Sequence, residues 1–135
     1  MKLLRPFVAL LATAAFVAAA ETPKPKMAPA EAAKLVAAGK AVLVDVREPS
    51  EWKSTGVAAP AVLLPKSDFD GDQKQWKEFL AKNQGKQIIT YCASGRRSGM
   101  IAAALEEKGV KTANVGGFKD WTEAGLPVRK VEGKK

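Results

Sequence analysis

Gln87-Ile88-Ile89-Thr90-Tyr91-Cys92-Ala93-Ser94-Gly95-Arg96-Arg97-Ser98-Gly99 is the stretch on which the reading of this chain turns. Gln87 to Tyr91, with Ile88 and Ile89 at its centre, is apolar and β-branched enough to read as a buried strand. The loop 92–97 leads into a helix expected over Ser98 to Lys108, with Ile101 and Leu105 inward and Gly109 as its stop. A strand that turns through small residues into a helix is the repeating unit of an α/β sheet. In such sheets the crevice beyond the carboxyl ends of the strands is where ligands bind.

Working outward, the same alternation continues in both directions. Upstream, Pro29 opens a helix that Gly39 ends, and Ala41 to Val46 follows as a β-branched run, apolar on both faces. Pro49 starts a short turn or helix through Trp52, and Ala61 to Leu64 is a weaker strand closed by Pro65. Trp76, Phe79 and Leu80 share one helical face between Gly71 and Gly85. Downstream, Thr112 to Val115 is a last short strand. Gly116-Gly117 then turns into a small helix carrying Phe118 and Trp121, stopped by Gly125 and Pro127. The expected class is α/β, a single domain with a mainly parallel central sheet and helices on both faces.

The ends of the chain read differently. Lys2 and Arg5 precede an apolar run from Phe7 to Val17, and Ala18-Ala19-Ala20 supplies small residues for cleavage. The run is short for a span, which takes about 20 residues. Residues 1–20 are therefore expected to be a signal peptide, cleaved near Ala20 and leaving no stable membrane anchor. That places the mature protein in the periplasm or otherwise outside the cytoplasm. Residues 21–28 read as a flexible lead-in, 29–128 as the domain, and 129–135 as a charged, frayed tail.

Composition removes several chemistries. The chain has no histidine, so Cys–His and Ser–His nucleophile pairs and imidazole metal sites are unavailable. No metal and no cofactor are expected. The formal charge is +8, but the lysines are scattered and no basic run interleaves with aromatics, so no nucleic-acid partner is expected. Attraction of a small anion is compatible with that charge. Cys92 is the only cysteine, which excludes an internal disulfide.

That leaves the loop itself. Its small residues let successive N–H groups turn inward as an anion-binding nest, and the following helix adds its positive end. A thiol placed there ionises below its usual range without any general base. Cys92 is the candidate nucleophile. Ala93, Ser94, Gly95 and Ser98 are candidate cradle residues. Arg96 and Arg97 are candidates for holding an anion, with Arg97 the better placed to brace the loop against Asp45 or neighbouring carbonyls. Asp45 and Arg47, at the end of the neighbouring strand, are candidate supports for the loop, and Trp121 a wall or core residue. Gly116 and Gly117 read as turn glycines only.

With these residues in view, the chain resembles the rhodanese family from about Ala28 to Val128. The resemblance rests on Leu43-Val44-Asp45-Val46-Arg47-Glu48-Pro49, on Tyr91 to Gly99, and on Val115-Gly116-Gly117-Phe118-Lys119-Asp120-Trp121 with Ala124-Gly125-Leu126-Pro127. It looks most like the family's small periplasmic single-domain members. The resemblance implies transfer of a sulfane sulfur from thiosulfate, or a similar small sulfur-containing anion, through a Cys92 persulfide to cyanide or a thiol. A monomer is expected. The chain departs from the family in having Gly56-Val57-Ala58-Ala59-Pro60-Ala61 where many members carry Gly-His-Ile-x-Gly-Ala.

Two other readings stay open. One is a rhodanese-fold module that binds a partner or carries sulfur without turnover. The other is a cysteine-dependent phosphatase or arsenate reductase, whose loops place five residues between cysteine and arginine. Four residues separate Cys92 from Arg97 here, and Ser98 stands where that arginine would be.

Overall fold

The computed structural model describes residues 25–132. In chain order its elements are α1 (Pro29–Ala37), β1 (Ala41–Asp45), α2 (Pro49–Thr55), β2 (Val57–Ala58), β3 (Val62–Leu63) and α3 (Lys66–Asp70). There follow α4 (Lys74–Lys82), β4 (Gln87–Cys92), α5 (Arg96–Glu107), β5 (Thr112–Gly117), α6 (Phe118–Glu123) and β6 (Val128–Arg129). The central sheet has the order β3-β1-β4-β5, and every pairing in it is parallel. The expected α/β class holds, with helices on both faces. Residues 1–20, expected to be a signal peptide, lie outside the described residues.

Strand periodicity sorts the core into two layers, because alternate side chains face opposite sides of a sheet. Ala41, Leu43, Ile89 and Tyr91 point to one side, where they meet Ala32 of α1 and Trp121 of α6. Val44, Ile88 and Cys92 point to the other, where they meet Trp76 and Phe79 of α4 and Ile101 and Leu105 of α5. Trp76 sits edge-on to both Phe69 and Phe79 at centroid distances of 5.3 and 5.9 Å. Each layer is closed by apolar burial, which contributes roughly 1.5–3 kcal/mol for each large side chain removed from water. The chain leaves β1 towards β3 and leaves β4 towards β5, so the carboxyl ends of β1 and β4 flank the switch point of the sheet.

Several boundaries differ from expectation. α5 begins at Arg96, two residues before the expected start at Ser98, which shortens the loop to residues 93–95 and puts both arginines in the first helical turn. β5 continues through Gly116 and Gly117, which are strand residues paired with Tyr91 and Cys92 rather than a turn. The extension needs a bulge, since Thr90 pairs with Asn114 and Tyr91 with Gly116. The lead-in is not free at its end: the Met27 N–H donates to the Asn114 carbonyl at 2.8 Å, and Met27 packs on the core.

The charged tail is likewise paired at its start. Arg129 lies on β6, which is antiparallel to β2, and its guanidinium donates to the Ala59 and Ala61 carbonyls at 3.1 and 2.9 Å. α3 was not anticipated. Its five residues are too few to show a helical period.

Candidate active site

Cys92 closes β4, and its side chain is fully buried on the α4–α5 side of the sheet. The turn over it is made by Gly95, whose φ of +98° belongs to the left-handed region. A Cβ at Gly95 would lie 3.0 Å from the Gly116 Cα, and one at Gly117 would lie 2.3 Å from the Ala93 carbonyl oxygen. Only glycine at both positions, in the loop and on β5, lets the strand close against the loop. Gly117 is held there by its own N–H, which donates to Asp120 Oδ2 of α6 at 2.7 Å.

This close fit aims donors at the sulfur. The Gly95 N–H donates to Cys92 Sγ at 3.0 Å, and Ser98 Oγ lies 3.4 Å from it. Burial works against the charged thiolate, yet the Ser98 hydroxyl and the N–H groups of Ser98, Gly95 and Ser94 together hold the thiol below its ordinary value. The expected nest therefore forms. Ala93 and Ser94 are exposed on its rim, while Gly95 and Ser98 are buried within it.

The two arginines separate cleanly. Arg97 turns across to α2 and donates to both carboxylate oxygens of Glu51, Nη1 to Oε1 at 2.7 Å and Nη2 to Oε2 at 2.9 Å. Its partner is thus Glu51 and not Asp45. The hydrogen bond from Arg97 holds the Glu51 carboxyl below the usual range, and Glu51 returns the effect by raising Arg97. Glu51 also accepts the Glu48 N–H at 3.2 Å, which fixes it in the first turn of α2. After Glu51, the nearby Cys92 sulfur also favours the charged form of Arg97. Arg96 is exposed and has no carboxylate partner among the described residues.

Asp45 and Arg47 do not support the loop. Asp45 pairs with Tyr91 across the sheet and shares its face, opposite the face of Cys92. Arg47 donates to Asp45 through Nε and Nη2, at 2.8 Å for the shortest contact, and to Thr55 Oγ1 and the Gly56 carbonyl at 2.9 Å each. Its guanidinium lies over the rings of Phe118 and Tyr91, 4.6 and 5.8 Å from their centroids. The pair knits β1 to α2 and to the β2–β6 ribbon. Trp121 is a core residue, fully buried, with its indole N–H donated to the Pro127 carbonyl at 2.9 Å.

Two site residues escaped the sequence reading. Glu51 had a signal, an acidic residue in the first turn after a strand that ends beside the loop. Asn114 had none, because a polar residue on an edge strand is ordinarily just solvated. No group of three or more His, Cys, Asp or Glu gathers among the described residues.

The geometry is that of a family. The Rhodanese-like domain pattern matches residues 28–124. The chain belongs to the rhodanese family. The thiosulfate:glutathione sulfurtransferase of Saccharomyces cerevisiae is 32% identical to this chain over 92 residues, covering 62% of this chain and 66% of the relative. A rhodanese-related protein of Thermoplasma volcanium superposes with a TM-score of 0.64 at 26% identity, covering 78% of this chain and 98% of the other.

A Rhodopseudomonas palustris protein of unknown function, described as a possible tyrosine phosphatase, superposes at 0.63 with 25% identity, covering 77% and 83% of the two chains. The chain spans 48%, 66% and 61% of the lengths of the curated relatives it matches.

Proposed function

We propose that this protein is a sulfurtransferase that takes a sulfane sulfur from thiosulfate, or a similar small sulfur anion, onto Cys92 and passes it to a thiol or to cyanide. One observation carries the reading. The only thiol of the chain is buried at the switch point of the sheet, with hydrogen-bond donors aimed at it and its ionisation favoured without a base. The thiolate attacks the outer sulfur of thiosulfate, the donor S–S bond breaks, and sulfite leaves with the electron pair. The acceptor then attacks the outer sulfur of the persulfide, and Sγ leaves as thiolate. Neither step needs a cofactor.

Burial of Sγ favours a donor that presents one projecting sulfur atom. A tetrahedral phosphate needs a wider ring of donors and a free arginine, whereas Arg97 is committed to Glu51. Incubation of the purified protein with thiosulfate should add about 32 Da at Cys92, one sulfur atom. No such adduct, or appreciable hydrolysis of aryl phosphates, would overturn the reading. Export is part of the same proposal, with cleavage after Ala20. The intact mass of protein recovered from the periplasm should begin at Glu21, and a mass retaining Met1 to Ala20 would exclude it.

A further inference from the structure

Asn114 stands on β5 one residue before the bulge, and its side-chain amide joins three parts of the site. Nδ2 donates to the Gly95 carbonyl at 3.0 Å, while Oδ1 accepts the Gly116 N–H at 3.0 Å and lies 2.7 Å from Ser98 Oγ. A carbonyl only accepts and a backbone N–H only donates, so these two partners fix the orientation of the amide independently and agree. Oδ1 is therefore an acceptor towards Ser98.

The Ser98 hydroxyl has one proton. Three acceptors surround it: Asn114 Oδ1 at 2.7 Å, Cys92 Sγ at 3.4 Å and the Gly116 carbonyl at 3.5 Å. While the sulfur is neutral the proton goes to the short bond with Asn114, and a hydroxyl lone pair faces the thiol. Once the sulfur is anionic the balance reverses, because a charge-assisted hydrogen bond is roughly twice as strong as a neutral one. We propose that Asn114 is a positioning residue that keeps the Ser98 proton while Cys92 Sγ is neutral and yields it to Sγ as that sulfur becomes charged.

Its place in turnover rests on the sulfurtransferase reading above. In the persulfide the inner sulfur is neutral, and the Ser98 proton sits on Asn114. As the acceptor takes the outer sulfur, the S–S electron pair returns to Sγ and the hydroxyl turns to it. An interaction that strengthens only as charge develops favours the transition state over the ground state. Cys92 shares its buried cluster with apolar residues, among them Val44, Val46, Leu64, Trp76 and Phe79, and the Arg97 guanidinium is held by Glu51.

The test is the ionisation of Cys92, read from the ultraviolet absorbance of the thiolate against pH and referenced to Cys92→Ser. Asn114→Ala removes the acceptor that competes with Sγ for the Ser98 proton, so the acid dissociation constant of Cys92 should rise by about two- to tenfold, the worth of one hydrogen bond. The Gly95 carbonyl keeps the Gly99 N–H at 3.0 Å, so the turn survives. Ser98→Ala alone should weaken ionisation, and in that background Asn114→Ala should change it no further.

Asn114→Asp, which keeps Oδ1 but binds the proton harder, should shift Cys92 the opposite way to Asn114→Ala. A merely structural Asn114 would loosen the cradle and weaken ionisation in Asn114→Ala. That sign, or a shift that persists without the Ser98 hydroxyl, overturns the proposal. Because the readout is a titration, a failure to form the persulfide would sink the sulfurtransferase reading and leave this result standing.

Discussion

Tyr91 and Cys92 are neighbours on β4 and point to opposite faces of the sheet, where equally complete burial accompanies opposite shifts in ionisation. On the Tyr91 side the charges are closed on themselves. Asp45 is fully buried against Arg47, Arg47 is spent on Asp45, Thr55 and Gly56, and the Tyr91 hydroxyl accepts the Ala58 N–H at 2.9 Å. Burial, with Asp45 beside it, pushes the Tyr91 phenol well above its usual value. On the Cys92 side burial also opposes charge, but the Ser98 hydroxyl and the loop N–H groups donate to the sulfur, and the thiol is pulled down. Burial opposes the charge on both faces; the donors around Cys92 outweigh it, whereas Asp45 beside Tyr91 adds to it.

The comparison is tested first by removing the sulfur. Cys92→Ser should abolish sulfur transfer in a thiosulfate-dependent assay while the thermal melt stays close to that of the parent. Residual turnover at the parent level would mean that the Cys92 face is not the reactive one. The opposite face should respond in stability rather than chemistry. Asp45→Ala leaves the Arg47 charge buried and uncompensated, which costs about 3–5 kcal/mol in a denaturant titration. Because Asp45 faces away from Cys92, the rising limb of kcat/KM against pH should keep its midpoint in whatever fraction of the variant is folded. A midpoint that moved would break the separation of the two faces.

Arg97 sharpens the contrast, since its charge near Cys92 favours the thiolate. In the proposed reaction the thiolate is the reactive form, so activity should be present above the thiol pKa and lost as pH falls through it. Arg97→Ala withdraws the cation beside the sulfur, so that limb should move to higher pH and turnover at neutral pH should fall. The stability loss should be small, about 0–1 kcal/mol, because the Arg97–Glu51 pair is about one-third exposed, at 32% and 31%. Glu51→Gln should reproduce part of the stability loss while leaving the guanidinium free to approach the sulfur, and its limb should shift less.

What the sequence disclosed and withheld follows from how far each residue reaches. β1, β4 and the cradle are local, written in β-branched runs and a small-residue turn, and they were legible. The separation of the faces was not, since it needs the register of the folded sheet: Asp45 pairs with Tyr91, and period two then puts Cys92 on the other side. The loop length was overestimated because Arg96 and Arg97 carry no helix-start signal: the position before them is a left-handed glycine without a capping side chain.

The β2–β6 ribbon was illegible, with two residues in each strand and some seventy residues of chain between partners such as Arg129 and Ala59. The need for glycine at 117 was hidden too. It arises from the Ala93 carbonyl, which only the folded chain brings within reach.

The smallest expected effect belongs to Arg96. It stands on the same helical turn as Arg97 but projects outward, exposed, beside Ser94 on the rim of the cradle and without a carboxylate partner among the described residues. A dianion approaching the rim meets this charge before it meets the buried donors. An exposed contact of that kind is worth little and is screened by salt over about 10 Å at 0.1 M ionic strength. It is made equally well before and during sulfur transfer, so it is uniform binding. Arg96→Ala should therefore raise KM for thiosulfate a fewfold while kcat stays near the parent value, and the difference should fade at high salt. Steady-state kinetics at low and high ionic strength read this directly. A loss confined to kcat, or one indifferent to salt, would instead place Arg96 with Arg97 among the groups that hold the cradle, and the division of labour within that helical turn would be gone.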